Sequence, residues 1–186
     1  MRSPELRALG LAAVVALTAC TSTPTSQSAS GAAEHRLGLG KPVTEAQLAA
    51  WDIDIRTPDG AGLPPGSGSI AKGKAVYESQ CLACHGAEAK GGSMFGTMVG
   101  GIGSFTTNTR VLTPGSMYPY AGVLFDYVRR AMPLTAPQSL SNDDVYAVTA
   151  FILSQAQIVP ADATLNKETL PNIVMPNRNG FRDAGR

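Results

Sequence analysis

Cys81-Leu82-Ala83-Cys84-His85 is the stretch whose reading decides this chain. Two cysteines separated by two residues and followed at once by histidine form the Cys-x-x-Cys-His string of c-type haem attachment. In that chemistry both thiols bond to the edge of the macrocycle, and the adjacent imidazole is left facing the iron. Two other readings compete for a Cys-x-x-Cys pair. A thiol redox motif needs a βαβ surround, and a zinc site needs two further Cys or His ligands. The chain supplies neither: the remaining sulfur and imidazole ligands are Cys20, at the end of an apolar leader, and His35, in a polar stretch. The expected cofactor is one covalent haem c, attached through Cys81 and Cys84, with His85 as metal ligand.

Outward from the motif, the pattern is helical. Ile70 to Gln80 reads as a helix with Ala71, Ala75 and Val76 among its apolar positions, and it leads directly into the motif. Tyr120, Val123, Leu124, Tyr127, Val128 and Ala131 recur at helical spacing and predict a second helix ending before Met132-Pro133. A third starts at Ser141, where Asp144 completes a Ser-x-x-Asp capping box, and Val145, Val148, Ile152 and Ala156 share a face; Pro160 is expected to stop it. No alternating strand pattern or internal repeat is visible. The expected fold class is all-α, a small helical bundle around one covalently bound haem with irregular N- and C-terminal extensions. At about ninety residues (69–159) the domain is small for a self-sufficient core, and an apolar macrocycle at its centre answers that shortage.

The flanks divide further. In 1–19, Arg2 and Arg7 make a basic start and Leu9 to Ala19 an apolar run of about eleven residues, too short to span a bilayer as a helix. Residues 1–19 therefore read as a lipoprotein signal peptide. Leu17-Thr18-Ala19-Cys20 resembles the bacterial lipoprotein cleavage box, which would make Cys20 the lipidated first residue; a soluble periplasmic protein cut near Ala19 is the alternative. Thr21 lacks the aspartate associated with inner-membrane retention, which weakly favours the outer membrane. Residues 20–37 read as a flexible tether, because 21–33 is Ser, Thr, Ala and Gly with almost no large apolar residue. Within 38–68, Thr44-x-x-Gln47 is a capping box for a short helix with Leu48 and Trp51 to dock, and Pro58 to Gly68 is a Pro/Gly-rich linker. Residues 160–186 form a C-terminal extension expected to pack on or near the domain.

Charge excludes one class of partner. The chain has 15 basic and 14 acidic residues, with no basic stripe and no Gly-rich phosphate loop, so nucleic acid and nucleotides are not expected partners. Cysteine arithmetic also closes. Of three cysteines one goes to lipid and two to haem, leaving none for a disulfide.

The layout from Ser69 to Val159 resembles a class I cytochrome c. In that family the first and last helices cross at a small residue and aromatic side chains; Gly73 and Tyr77 match the first, Val148 and Phe151 the last. The resemblance implies a methionine as sixth ligand in the loop before the last helix, a place held by Met132-Pro133, with Met98 and Met117 as the other choices. The family's Pro-Leu pair after the haem motif, whose proline carbonyl accepts from the proximal histidine, is here Thr97-Met98. The Thr97 carbonyl would take over that bond and Met98 would pack on the haem. Ser116, Tyr118 and Arg110 are candidates to hydrogen-bond the propionates.

A narrower resemblance lies in Gly38-Leu39-Gly40-Lys41-Pro42, Trp51-Asp52-Ile53-Asp54, Gly62-Leu63-Pro64-Pro65-Gly66-Ser67-Gly68, Asp126-Tyr127-Val128-Arg129-Arg130-Ala131-Met132-Pro133 and Met175-Pro176-Asn177-Arg178-Asn179-Gly180-Phe181. These strings resemble the cytochrome subunits of bacterial sulfur oxidation, of the sulfane (sulfite-type) dehydrogenase kind, SoxD. That subunit characteristically carries two haem domains, whereas this chain has one haem motif and a lipobox, so the resemblance implies a stand-alone, single-haem relative. The expected function is single-electron transfer in the periplasm, on a lipid anchor. Electrons would come from a molybdenum-cofactor dehydrogenase of the sulfite oxidase type and pass to another cytochrome or an oxidase. This makes the chain an electron carrier or a dehydrogenase's cytochrome subunit, with no catalytic residue of its own. The alternative is a haem enzyme, or a haem sensor with a labile sixth ligand.

Overall fold

The first backbone N–H groups of a helix lack partners within it, and the side chains that satisfy them mark where the helices of this chain begin. The computed structural model describes residues 39–49, 51–182 and 185. The expected signal peptide, Cys20, the rest of the expected tether and His35 lie outside the described residues. Thr44 opens α1 (Glu45–Ala49): Gln47 N–H donates to Thr44 Oγ1 and Thr44 N–H donates to Gln47 Oε1. Ser69 ends the short strand β1 (Ser67–Ser69) and caps α2 (Ile70–Gln80), accepting from the Lys72 N–H. One helical turn, α3 (Leu82–His85), follows immediately. After a long loop come α4 (Pro114–Met117), α5 (Ala121–Ala131) and α6 (Asn142–Gln155), the last capped by Ser141, which accepts from Asp144 N–H. The chain then forms a second strand, β2 (Thr164–Asn166), and the C-terminal segment.

The crossing of α2 and α6 organises the core. Gly73 is buried there, and a Cβ on it would lie 1.9 Å from the Ala147 carbonyl oxygen and 2.9 Å from Phe151 Cβ. One turn later the Tyr77 ring packs on Phe151 with centroids 5.0 Å apart. Phe125 of α5 meets Tyr146 of α6 at 4.4 Å, so all three long helices share one apolar centre. Glycine inside a helix costs about 1 kcal/mol relative to alanine, and the close approach explains why it is used. Gly73→Ala is accordingly expected to destabilise the folded protein by roughly 2–3 kcal/mol, overpacking outweighing the gain in helix propensity. Denaturant unfolding would read this as a lower midpoint, and a midpoint equal to or above wild type would refute it.

Two features differ from the sequence expectation. The domain is not all-α: β1 and β2 pair antiparallel, with Gly68 opposite Leu165. Ser-Gly-Ser carries no strand signal, and the pairing is decided by Gly68 lying so close to α6 that a Cβ would sit 2.1 Å from Ala147 N. The last helix also stops at Gln155, short of Pro160, because Ala156 caps it and Gln157 turns to φ 57°.

The segment read as a Pro/Gly-rich linker is packed rather than loose. Leu63 and Pro64 are buried, and the Tyr146 hydroxyl donates to the Pro64 carbonyl at 2.9 Å. Arg130 clamps the same stretch to α5, reaching Asp54 at 2.7 Å and Asp126 at 2.9 Å. By contrast, the apolar side of α1 finds no support among the described residues: Trp51 is 82% and Leu48 43% exposed. At the other end, Met175 is fully buried, Asn177 Nδ2 donates to the Met117 carbonyl at 2.8 Å, and the Arg178 guanidinium lies 4.2 Å from the Tyr120 ring centroid. Among the described residues no helix is long and apolar enough to cross a membrane.

Candidate functional site

The end of α2 and the turn of α3 present the motif as one continuous edge. Cys81 N–H donates to the Tyr77 carbonyl as the cap of α2, and His85 N–H donates to the Cys81 carbonyl at 3.0 Å, closing the turn that puts Cys81, Cys84 and His85 side by side. The edge is fixed from behind. The Tyr77 hydroxyl donates to the Gly86 carbonyl at 2.8 Å, and Gly86 adopts φ 73°, where a Cβ would lie 1.9 Å from the Gly91 carbonyl oxygen. Glycine is needed here both for its conformation and for that approach.

The motif forms one wall of an open, mainly apolar cleft. Met94, Phe95 and Met98 from the following loop extend that side; Val128 of α5, Met132 to Thr135, Leu140, and Val148 and Ile152 of α6 complete the enclosure. Apart from His85 and the two cysteines, no lining side chain is ionisable. The lining is what an apolar macrocycle requires. Three sulfur or nitrogen donors on one wall and a thioether from another element fit haem c; Cys81 and Cys84 would hold it, with His85 and Met132 as iron ligands.

Burial tunes the two kinds of donor in the same direction, toward neutrality. It pushes the Cys81 thiol up to about 11, with Cys84 adding to the effect, and it lowers the His85 pKa. A raised thiol pKa is the reverse of what a reactive redox cysteine needs. A neutral imidazole is what an iron ligand needs. Cys81 and Cys84 are not joined to each other, and no three or more His, Cys, Asp or Glu side chains are arranged to hold a metal ion among themselves in the described residues.

The remaining expected residues divide. Met98 is half-buried against the core and lines the cleft. Met117, at the end of α4, does not line it, and Met175 is locked in the core. Met94 does line it, with its sulfur 3.7 Å from Cys84 Sγ on the motif's own side. Thr97 is beside the cleft, but its hydroxyl serves the loop, donating to the Val99 carbonyl at 2.9 Å. The hydrogen bond expected from His85 to the Thr97 carbonyl is not formed: His85 Nδ1 is buried and has no partner.

Ser116, Tyr118 and Arg110 are not brought to the cleft wall. Ser116 is buried in the capping box of α4, where its Oγ accepts from Thr113 N–H and donates to the Val111 carbonyl at 2.7 Å. Tyr118 is half-buried at the C-terminal cap of the same turn, and Arg110 is exposed on the preceding loop. Sequence reasoning overlooked Phe95, whose ring stacks on His85 with centroids 5.2 Å apart and planes 24° from parallel. It also overlooked Leu134 and Thr135, which no periodicity marks.

Comparison with known proteins agrees with this arrangement. The family described as cytochrome c oxidase, cbb3-type, subunit III, matches residues 68–152, the stretch from β1 to α6. A thiosulfate dehydrogenase from Allochromatium vinosum is 31% identical over 87 residues, which are 44% of this chain and 30% of that protein. The match thus spans less than a third of that relative's length. The crystal structure of the sulfane dehydrogenase SoxCD from Paracoccus pantotrophus superposes with a TM-score of 0.74 at 42% identity, covering 81% of this chain and 73% of the matched chain.

Proposed function

The chain belongs to the SoxD-like c-type cytochromes, and from that premise we propose that it is a monohaem electron carrier of class I architecture serving the oxidation of a sulfur compound. One observation carries the reading. Separate elements bring Cys81, Cys84, His85 and Met132 to a single apolar cleft whose other lining groups carry no charge. Haem, when bound, supplies a one-electron couple.

The chain's own residues do the rest. Cys81 and Cys84 would hold the ring, and His85 and Met132 would supply the protein ligands to the iron. Ligation by these two side chains would leave the metal no position for a substrate, and a thioether ligand would raise the potential, which favours transfer between proteins over chemistry on a ligand. Val128, Val148 and Ile152 keep water from the site. A sulfur dehydrogenase with a molybdenum cofactor is the proposed donor, and each two-electron oxidation there requires two successive transfers to this carrier. The proposed acceptor is another cytochrome or a terminal oxidase.

The haem-loaded protein tests this directly. It should contain one haem per chain and a ferric far-red band of sulfur ligation, and the ferrous form should resist carbon monoxide. Mixing with a sulfite-oxidase-type dehydrogenase and its sulfur substrate should reduce it. Rapid carbon monoxide binding by the wild type would replace the carrier by the haem enzyme or sensor.

We place the protein on the periplasmic side of a bacterial membrane, anchored by lipid on Cys20, on the strength of the sequence ahead of residue 38. Multiple acyl chains at about 0.8 kcal/mol per buried methylene hold stably where one does not. Cys20→Ser is expected to release the protein from the membrane fraction with an unchanged visible spectrum. Retention on the membrane after a high-salt wash would rule out this anchor.

A further inference from the structure

A proximal histidine ordinarily donates its second ring nitrogen to a carbonyl or carboxylate, which fixes the ring plane and makes the imidazole a stronger donor to the metal. His85 lacks that bond. Its Nδ1 is buried without a partner. The ring nevertheless has a defined neighbour, the face of Phe95 at 5.2 Å between centroids.

The loop that carries Phe95 is held hard against the motif. Gly91 N–H donates to the His85 carbonyl at 3.0 Å, Gly92 N–H donates to the Phe95 carbonyl at 2.9 Å, and Met98 N–H donates to the Ala89 carbonyl at 2.8 Å. A Cβ on Gly92 would lie 2.7 Å from the Cys84 carbonyl oxygen, so the backbone runs directly over the turn that bears His85. This tight turn delivers the Phe95 ring to the imidazole.

We infer that Phe95 is the positioning residue for His85, setting the imidazole plane by stacking and so holding Nδ1 where it makes none of the hydrogen bonds that would strengthen the ligand. The inference rests on His85 being an iron ligand, as in the function proposed above. Two consequences follow from the chemistry. A weaker donor stabilises the ferric state less, so the reduction potential is held up. A fixed ring plane gives the ferric iron one defined electronic anisotropy.

Phe95→Leu keeps apolar bulk and removes the ring. It is expected to lower the reduction potential and to shift or broaden the ferric electron paramagnetic resonance signal, while the optical spectrum stays low-spin. Phe95→Tyr, which restores the ring, should return both readouts close to wild type. A Phe95→Leu protein that is low-spin with wild-type potential and resonance signal overturns the inference, as does a Phe95→Tyr protein displaced as far as Phe95→Leu. Should Phe95→Leu fail to accumulate, proton NMR of the ferrous wild type decides: an Nδ1 proton at the position of a free N–H supports the inference, and one at the downfield position of a carbonyl-bonded N–H overturns it. Failure of the underlying reading is distinct. It would appear as a low-spin spectrum unchanged by His85→Ala, whatever Phe95 does.

Discussion

Cys81→Ala or Cys84→Ala is expected to yield little haem-loaded protein and poor accumulation. The reason is the composition of the cleft. Met94, Phe95, Met132, Leu134 and Leu140 line it alongside the motif, all of them half-buried or exposed, and without a tightly held macrocycle these side chains face water. Burying one such side chain fully is worth about 1.5–3 kcal/mol. Even partial loss at several of them rivals the roughly 5–15 kcal/mol of net stability typical of a folded protein. The Tyr77, Phe125 and Tyr146 cluster and the Gly73 crossing remain, but none of these residues lines the cleft. Haem content per chain and resistance to protease would be measured together. Normal yields of a folded, protease-resistant apo-protein would sink the idea that the macrocycle completes the core.

Met132→Ala is expected to leave a folded, haem-containing protein whose redox behaviour is changed. Covalent attachment at Cys81 and Cys84 and the α2–α6 packing do not depend on Met132, which follows α5 as its C-terminal cap. Loss of the thioether would open the sixth position and admit carbon monoxide to the ferrous form. The potential should fall by on the order of a hundred millivolts or more, a fraction of the roughly 0.8 V that axial ligands command. The far-red sulfur band should disappear, and electron transfer from the donor should slow as the driving force falls. If potential and band both persist, the ligand is another methionine. Met98→Ala is then the next variant and Met94→Ala the one after, because these two line the cleft whereas Met117 does not.

The reach of the sequence can be judged from particular residues. The cap Ser141 was legible because it is a local rule, a hydroxyl at a helix start with Asp144 three residues on, and the close approach at Gly73 was implied by the resemblance to class I cytochromes c. Met98 and Met117 looked equivalent from the sequence, since a thioether reads the same anywhere in a loop, and only the course of the chain separates them. Ser116 illustrates the opposite hazard. A serine in a polar loop suggests a propionate contact, yet its hydroxyl is consumed by the cap of α4. Ser67 to Ser69 gave no sign of a strand, because its partner lies almost a hundred residues away and the pairing is made by the seat of Gly68 on α6.

The sequence by itself determined the chemistry: a Cys-x-x-Cys-His string fixes the spacing of two thiols and an imidazole within one turn of chain, and helix periodicity and capping fix the segments that frame it. Those interactions span a few residues and are written in residue type. Tertiary structure alone decided which methionines reach the cleft, that the proximal imidazole lies against Phe95 with Nδ1 unpartnered, and that the Pro/Gly-rich segment is packed under Tyr146. These outcomes depend on long-range packing and on which backbone groups are already occupied, and neither is encoded in any local pattern.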